Sequence, residues 1–218
     1  MARTPSGTIT SVATVFAAPK PITGISNAAE AVVSCTGHGY VAGDVVEITS
    51  NWARLNRRAY RVKSAPTADT FVLELADTTS STIYPSGSGA GAGSVRKATT
   101  FVQLDKTLNH NSSGGEAKKV VYKFIESDSE YSLNDGFSAV DRTFDIDADA
   151  ISTPGYVALR SLTEVQTDTI VRKVAKSGAT SYLPCTIALN EEEVEQDGQI
   201  VVCRVAISGN ARSTRYPA

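Results

Sequence analysis

The chain has 218 residues, 41% hydrophobic and 20% charged, the balance of a globular protein with an adequate core and not of a disordered one. Its net charge of −2 conceals +3 over residues 1–98 and −5 over residues 99–218. The acidic larger part argues against nucleic acid as a tightly bound ligand, because neutralising phosphates takes clustered cations.

No run approaches the roughly 18 apolar residues of a spanning helix, so no membrane anchor is expected. Arg3 opens a polar leader, and residues 4–14 are too polar for a signal-peptide core. Residues 8–16 then read as a strand stopped by Pro19-Lys20-Pro21. From residue 22 to 98 the texture changes to short strands at 30–35, 45–48, 60–63 and 70–75, separated by tight turns. Gly87, Gly89, Gly91 and Gly93 lack the G-x-G-x-x-G spacing, and neither a Lys-Ser pair nor a helix follows, so the stretch reads as a flexible linker and not a phosphate cradle. The order Gly37-His38-Gly39-Tyr40, Gly43-Asp44, Leu55-Asn56, Asp69-Thr70-Phe71 and Asp77-Thr78-Thr79 resembles a small β module inserted in many phage tail proteins. That resemblance implies a compact barrel-like fold and no chemistry.

Beyond residue 99 the elements lengthen. Residues 101–104 read as a short strand, and 105–117, rich in Asn, Ser and Gly, as a mobile loop. Residues 118–126 alternate, with Val120, Tyr122 and Phe124 on one face and Val121, Lys123 and Ile125 on the other; 142–146 is a further strand. Thr153-Pro154-Gly155 predicts a helix start, a threonine cap with proline at the first position. Ala158, Leu159, Leu162 and Val165 supply its apolar face. Strands follow at 169–176, 181–189 and 200–208; Ser177-Gly178-Ala179 joins the first two, and an acidic loop, 190–198, the last two. A short basic tail carries Arg212 and Arg215.

Residues able to do chemistry are scarce. His38 and His110 are the only histidines, set in a turn and a polar loop, and no G-x-S-x-G elbow accompanies them, so both read as structural. Asp145-Ile146-Asp147-Ala148-Asp149 imitates the first ligands of a calcium loop but meets Ala150 and Tyr156 where glycine and a bidentate glutamate are due. A solvated strand end before the helix N-terminus is the better account. Trp52, Arg54, Arg57, Arg58, Tyr60, Arg61 and Lys63 form a basic and aromatic cluster, which reads as a solvated or inter-subunit face before it reads as a single-strand stacking platform. Cys35, Cys185 and Cys203 are odd in number and far apart, fitting free buried thiols in a reducing cytoplasm.

The order helix, hairpin, acidic loop, final strand and basic tail resembles the C-terminal half of the major tail tube protein of long-tailed, siphovirus-type phages. The resemblance implies a mainly β fold, a tail-tube-like antiparallel β-sandwich or barrel with one flanking α-helix. Residues 1–21 would give its N-terminal strand, 22–98 the inserted barrel-like module and 99–218 the remainder. It implies a structural virion protein, not an enzyme and without cofactors, polymerising as stacked hexameric rings into the conduit for DNA ejection. Implied partners are further copies of the chain, a tape measure protein, and tail terminator and distal tail proteins. DNA would pass through the lumen without specific binding, in a tail assembled in the host cytoplasm. Asn109, His110, Lys118, Lys119, Glu191, Glu192, Glu193, Arg212 and Arg215 are the expected assembly contacts. Two readings stand beside this one: another tail component (completion, baseplate or receptor-binding), and a ligand-binding β module.

Overall fold

The computed structural model describes residues 6–218, so Arg3 and the start of the polar leader lie outside the described residues. The strands are β1 (Ile9–Phe16), β2 (Lys20–Ile22), β3 (Gly24–Ile25), β4 (Val32–Ser34), β5 (Val45–Ser50), β6 (Arg58–Thr67), β7 (Thr70–Leu73), β8 (Gly93–Leu104), β9 (Thr107–Gly114), β10 (Ala117–Tyr122), β11 (Tyr131–Phe137) and β12 (Val140–Asp147). After one helix, α1 (Pro154–Val165), come β13 (Thr169–Val174), β14 (Thr180–Val194), β15 (Val202–Gly209) and β16 (Thr214–Tyr216). Among the described residues fourteen strands form one antiparallel sheet, ordered β3-β4-β7-β6-β5-β8-β1-β13-β14-β15-β12-β9, with β2 beside β8 and β16 beside β14. The sheet curls into a half-barrel. β10 and β11 pair only with each other.

Three apolar clusters fill the curl. Val12, Phe144, Val171, Leu183 and Val205 pack with Leu159 and Tyr156 of α1. Val33, Ile48, Trp52, Tyr60, Phe71 and Leu73 form a second cluster among β2 to β8. Ala13, Ala59, Ile170, Tyr182 and Tyr216 form a smaller one between them. The two larger clusters share β8. Its residues Gly93 to Ala98 pair with β5, and Ala98 to Leu104 pair with β1.

The helix begins as predicted. Thr153 Oγ1 accepts the Tyr156 N–H at 3.3 Å, and Gln166 ends the helix in the left-handed conformation at φ 50°. Its first turn lies directly on β8: a Cβ on Gly155 would stand 2.8 Å from the Gln103 carbonyl oxygen, so only glycine fits there. The buried face is rotated from expectation. Tyr156 joins Ala158, Leu159 and Leu162, whereas Val165, in the last turn beyond the sheet, is 64% exposed.

Other expectations change more. Residues 105–117 are not a mobile loop, because β9 pairs with β12 along the sheet edge and Asn109 Nδ2 donates to Asp145 at 3.0 Å. Backbone pairing orders a segment whose side chains bury little. The acidic stretch is not wholly a loop, since β14 runs on to Val194 after a bulge between Asn190 and Glu193, paired with β15. The basic tail includes a strand, β16. Cys35, Cys185 and Cys203 are free and buried, as alternation predicts for the latter two.

Leu159→Asp places a carboxyl at a site with no exposure and is expected to destabilise the subunit by several kcal/mol, roughly 3–5. Val165→Asp is expected to cost under about 1 kcal/mol. Thermal unfolding of both variants checks the helical face, and equal shifts would show it misassigned.

Candidate assembly surface

The residues that resemble chemical sites are engaged internally. His38 is buried; its Nδ1 accepts the Tyr40 N–H at 2.8 Å, which leaves Nε2–H to donate toward the Thr67 and Thr70 carbonyls, each at 3.1 Å. Asp145 takes Asn109 and lies 3.6 Å from Arg204, while Asp147 takes the Asp149 N–H at 3.0 Å. Among the described residues no three His, Cys, Asp or Glu side chains converge as metal ligands. In the basic and aromatic cluster, Trp52 and Tyr60 are core residues, Arg61 is held by Glu74 at 2.5 and 2.7 Å, and Lys63 by Glu30 at 2.6 Å. No open stacking platform remains.

Surface chemistry gathers at three other places. The first is the β10–β11 arm. Gly114 and Gly115, at φ 78° and 77°, turn the chain out of β9, and a Cβ on Gly114 would collide with the Ala139 carbonyl. The returning strand is pinned at the base by Gly115 N–H to Ser138 O and Ser138 N–H to Glu116 O. Val120 pairs with Leu133 and Tyr122 with Tyr131, whose rings stack at 5.6 Å. Val120, Val121, Phe124, Tyr131 and Leu133 are all 44–59% exposed, and Ile125 at the tip is fully so. Lys118 and Lys119 stand exposed on the same arm, and Arg212 lies over the Phe137 ring at 4.2 Å, tying the C-terminal segment to the arm.

The second place is a cleft of about 890 Å³ whose lining includes Thr10, His110, Ser112, Arg142, Lys173, Ser181 and Arg215. Thr10, Lys173, Ser181 and Arg215 are successive cross-strand partners on β1, β13, β14 and β16, so their side chains share one face. Two residues along, the same rows hold Val12, Val171 and Leu183 of the helix-covered core, and Arg142 shares a face with Phe144 and Ile146. The cleft is therefore the end of the core face that α1 does not reach, and it is lined with cations where the covered end has aliphatics. Burial, then the Arg142 charge, push the Lys173 ammonium down to about 8. Burial likewise lowers Arg142 and His110, the latter stacked on Phe144 at 5.2 Å.

The third is the far end of β14, where Glu191, Glu192, Glu193, Glu195 and Asp197 are exposed and make no ion pair among the described residues. The nine residues expected to make contacts thus divide. Lys118, Lys119 and Arg212 belong to the arm, His110 and Arg215 to the cleft, and Glu191 to Glu193 to the acidic end, while Asn109 is spent on Asp145. Sequence reading missed the cleft, whose only advance signal was Arg142 and Lys173 falling on apolar registers.

A family model described as phage tail tube protein, TTP, matches residues 50–218. The cryo-EM structure of the anti-feeding prophage cap, a tube terminating cap, is similar at 12% identity and a TM-score of 0.34, over 53% of this chain and 83% of that one. No curated protein matches the sequence.

Lys173 gives the cleft a pH signature. Below pH 8 it is charged in folded and unfolded chains alike, and the folded subunit bears the full cost of holding that charge. Between about 8 and the ordinary 10.5 the folded chain sheds the proton first, so stability rises with pH. Lys173→Met is expected to unfold at a higher temperature than the parent monomer at pH 7, with the advantage shrinking by pH 10. A gain that grows with pH would refute the assignment.

Proposed function

This chain belongs to the phage tail tube protein family, and from that premise we propose that it polymerises as stacked, hexameric rings into the tube through which DNA leaves the virion. The observation that carries the reading is the β10–β11 arm. A two-stranded hairpin alone is marginal in water, and this one leaves aliphatic and aromatic side chains exposed on both faces. A neighbouring copy that covers the arm supplies the burial it lacks. The −5 balance of residues 99–218 suits a conduit that must not hold phosphate. Structural virion work needs neither enzyme chemistry nor a cofactor, and the family favours the tube subunit over another tail component. Tape measure, terminator and distal tail proteins are the partners such a tube requires, and the host cytoplasm is where it assembles.

Residues 23–92 are proposed to be an insert that decorates the tube. Ile22 and Gly93 are cross-strand partners, so the chain leaves and re-enters at adjacent points of one ladder, a gap that a short turn spans. We set this boundary inside the 22–98 of the sequence reading so that β8 stays whole.

Negative-stain microscopy of the purified protein should show long tubes of uniform bore. Leu133→Asp changes an exposed position and should leave monomer stability within about 1 kcal/mol while abolishing tubes; tubes at the parent's level would remove the arm from assembly. Replacing residues 23–92 by a Gly/Ser turn should leave a folded chain by circular dichroism and gel filtration, with tubes of the same inner diameter. Loss of folding would mean that the segment is no independent insert.

A further inference from the structure

We propose that the cationic cleft beside Lys173 is the socket for the acidic end of β14 from a second copy of this chain, residues Glu191 to Asp197. The inference rests on the reading that the chain assembles with itself, and it names the contact. Arg142, Lys173 and Arg215 bring three positive charges to one concave site, and among the described residues no carboxylate side chain lines it. None of the three makes an ion pair among the described residues, and Arg142 Nη1 is sealed from solvent without an acceptor. Elsewhere in the same molecule three half-buried cations are matched, Arg96 to Glu47, Arg61 to Glu74 and Lys97 to Asp44, whereas Arg58 and Arg172 each keep a buried Nε without an acceptor but lie over the Tyr60 and Phe101 rings. Cations left unmatched on the core face of a sheet are costly in the free subunit, and a carboxylate from outside converts that cost into a contact.

The complementary group is on the same chain but out of its own reach. Ser181, at the cleft, and Glu192 are eleven residues apart on one bulged strand, at most about 36 Å at 3.3 Å per residue. An extended strand laddered on β13 and β15 cannot fold back on itself. The Lys173 and Ser181 wall of the socket and the acidic end thus lie toward opposite ends of β14, while the socket's Thr107 margin shares a cross-strand row with Ile146, Cys203 and Glu193; paired between copies, the unlike surfaces make a head-to-tail contact able to propagate. Exposed carboxylates, Glu191 to Glu193 at the bulge and last ladder pairs and Glu195 and Asp197 beyond them, suit a recess whose Ser112, Ser181 and Thr10 hydroxyls add donors around the cations. A nucleic acid strand fits less well, since three cations converge in one recess and do not form a track, and the acidic end would repel it.

Two charge-reversed variants test the contact: Arg215→Glu, an exposed position, and the triple Glu191→Lys, Glu192→Lys, Glu193→Lys. Each alone should keep the parent's circular dichroism and need at least about tenfold more protein to associate, measured by sedimentation velocity and negative stain. An equimolar mixture should associate at a lower concentration than either variant alone, because the unaltered acidic end of Arg215→Glu meets the unaltered socket of the triple variant. Parental association by either variant alone, or a mixture of folded variants that associates no better than either alone, overturns the proposal. DNA binding by the parent that Arg215→Glu abolishes, without rescue on mixing, would instead assign the cleft to nucleic acid. If the parent forms only short oligomers that still obey this rescue pattern, the contact stands and the tube reading fails. Tubes from both variants alone leave the tube reading standing and remove the contact, and a parent that stays monomeric removes both.

Discussion

One strand, β8, holds the molecule together. Twelve residues long, it gives the backbone pairs of its first half to β5 and β2 and those of its second half to β1. Buried backbone groups must be paired, so neither apolar cluster can close without it. At its start a Cβ on Gly93 would stand 2.0 Å from the Thr49 carbonyl, which requires glycine where three strands meet. Beside it Glu47 is a buried carboxylate whose pKa burial raises, and Arg96 opposes the shift with a 2.6 Å hydrogen bond. Arg96 also lies 4.1 Å over Phe16 and donates to the Asp168 carbonyl, so one guanidinium joins β5, β1 and the segment leading into β13.

The C-terminal strand completes the joint. Tyr216 accepts the Arg61 N–H at 2.8 Å, donates toward the Glu74 carbonyl, and lies under the Arg61 guanidinium at 4.5 Å. Arg58 reaches Thr214 at 3.3 Å. β16 therefore bridges β14 and β6, elements about 120 residues apart in sequence, a closure of long loops that costs entropy. Residues 23–92 are tied to the rest by side chains as well as by β8, so their independence is a matter of free energy and not of connectivity.

Legibility in the sequence followed from how local each cause is. The helix start was readable because Thr153 and Pro154 act within one turn, and the strands β1, β13 and β15 because alternation records a two-sided environment. The β9 edge was unreadable: Asn109, Asn111 and Ser113 bury almost nothing, and what orders them is the ladder to β12, thirty residues away. β16 was missed because its stability lies in Tyr216 meeting a strand some 155 residues earlier. The cleft stayed hidden for a related reason. Arg142, Lys173 and Arg215 look like ordinary surface cations one at a time, and only the registers that set Lys173 and Arg215 in the rows of Val171 and Leu183, and Arg142 opposite Ile207, place them on the core face.

That placement carries a thermodynamic consequence for a protein that works as a polymer. A free subunit that holds an underpaired cation cluster and an exposed apolar arm is less stable than its fold allows, and on the proposed contacts docking of another copy relieves both deficits at once. Stability and assembly are then linked, since anything that binds only the folded, docked form raises its apparent stability by mass action. The two surfaces also divide the labour. Charges are felt over about a Debye length, roughly 8–10 Å, and orient the encounter, whereas the arm contributes only on contact. Unlike surfaces that pair head-to-tail propagate, whereas a two-fold dimer that placed each socket on the other copy's acidic end would close both and leave neither a growing end nor a ring to stack. The uneven charge of this chain, nearly neutral overall yet split between a cationic cleft and an acidic strand end, is the pattern that the proposed contact between copies requires.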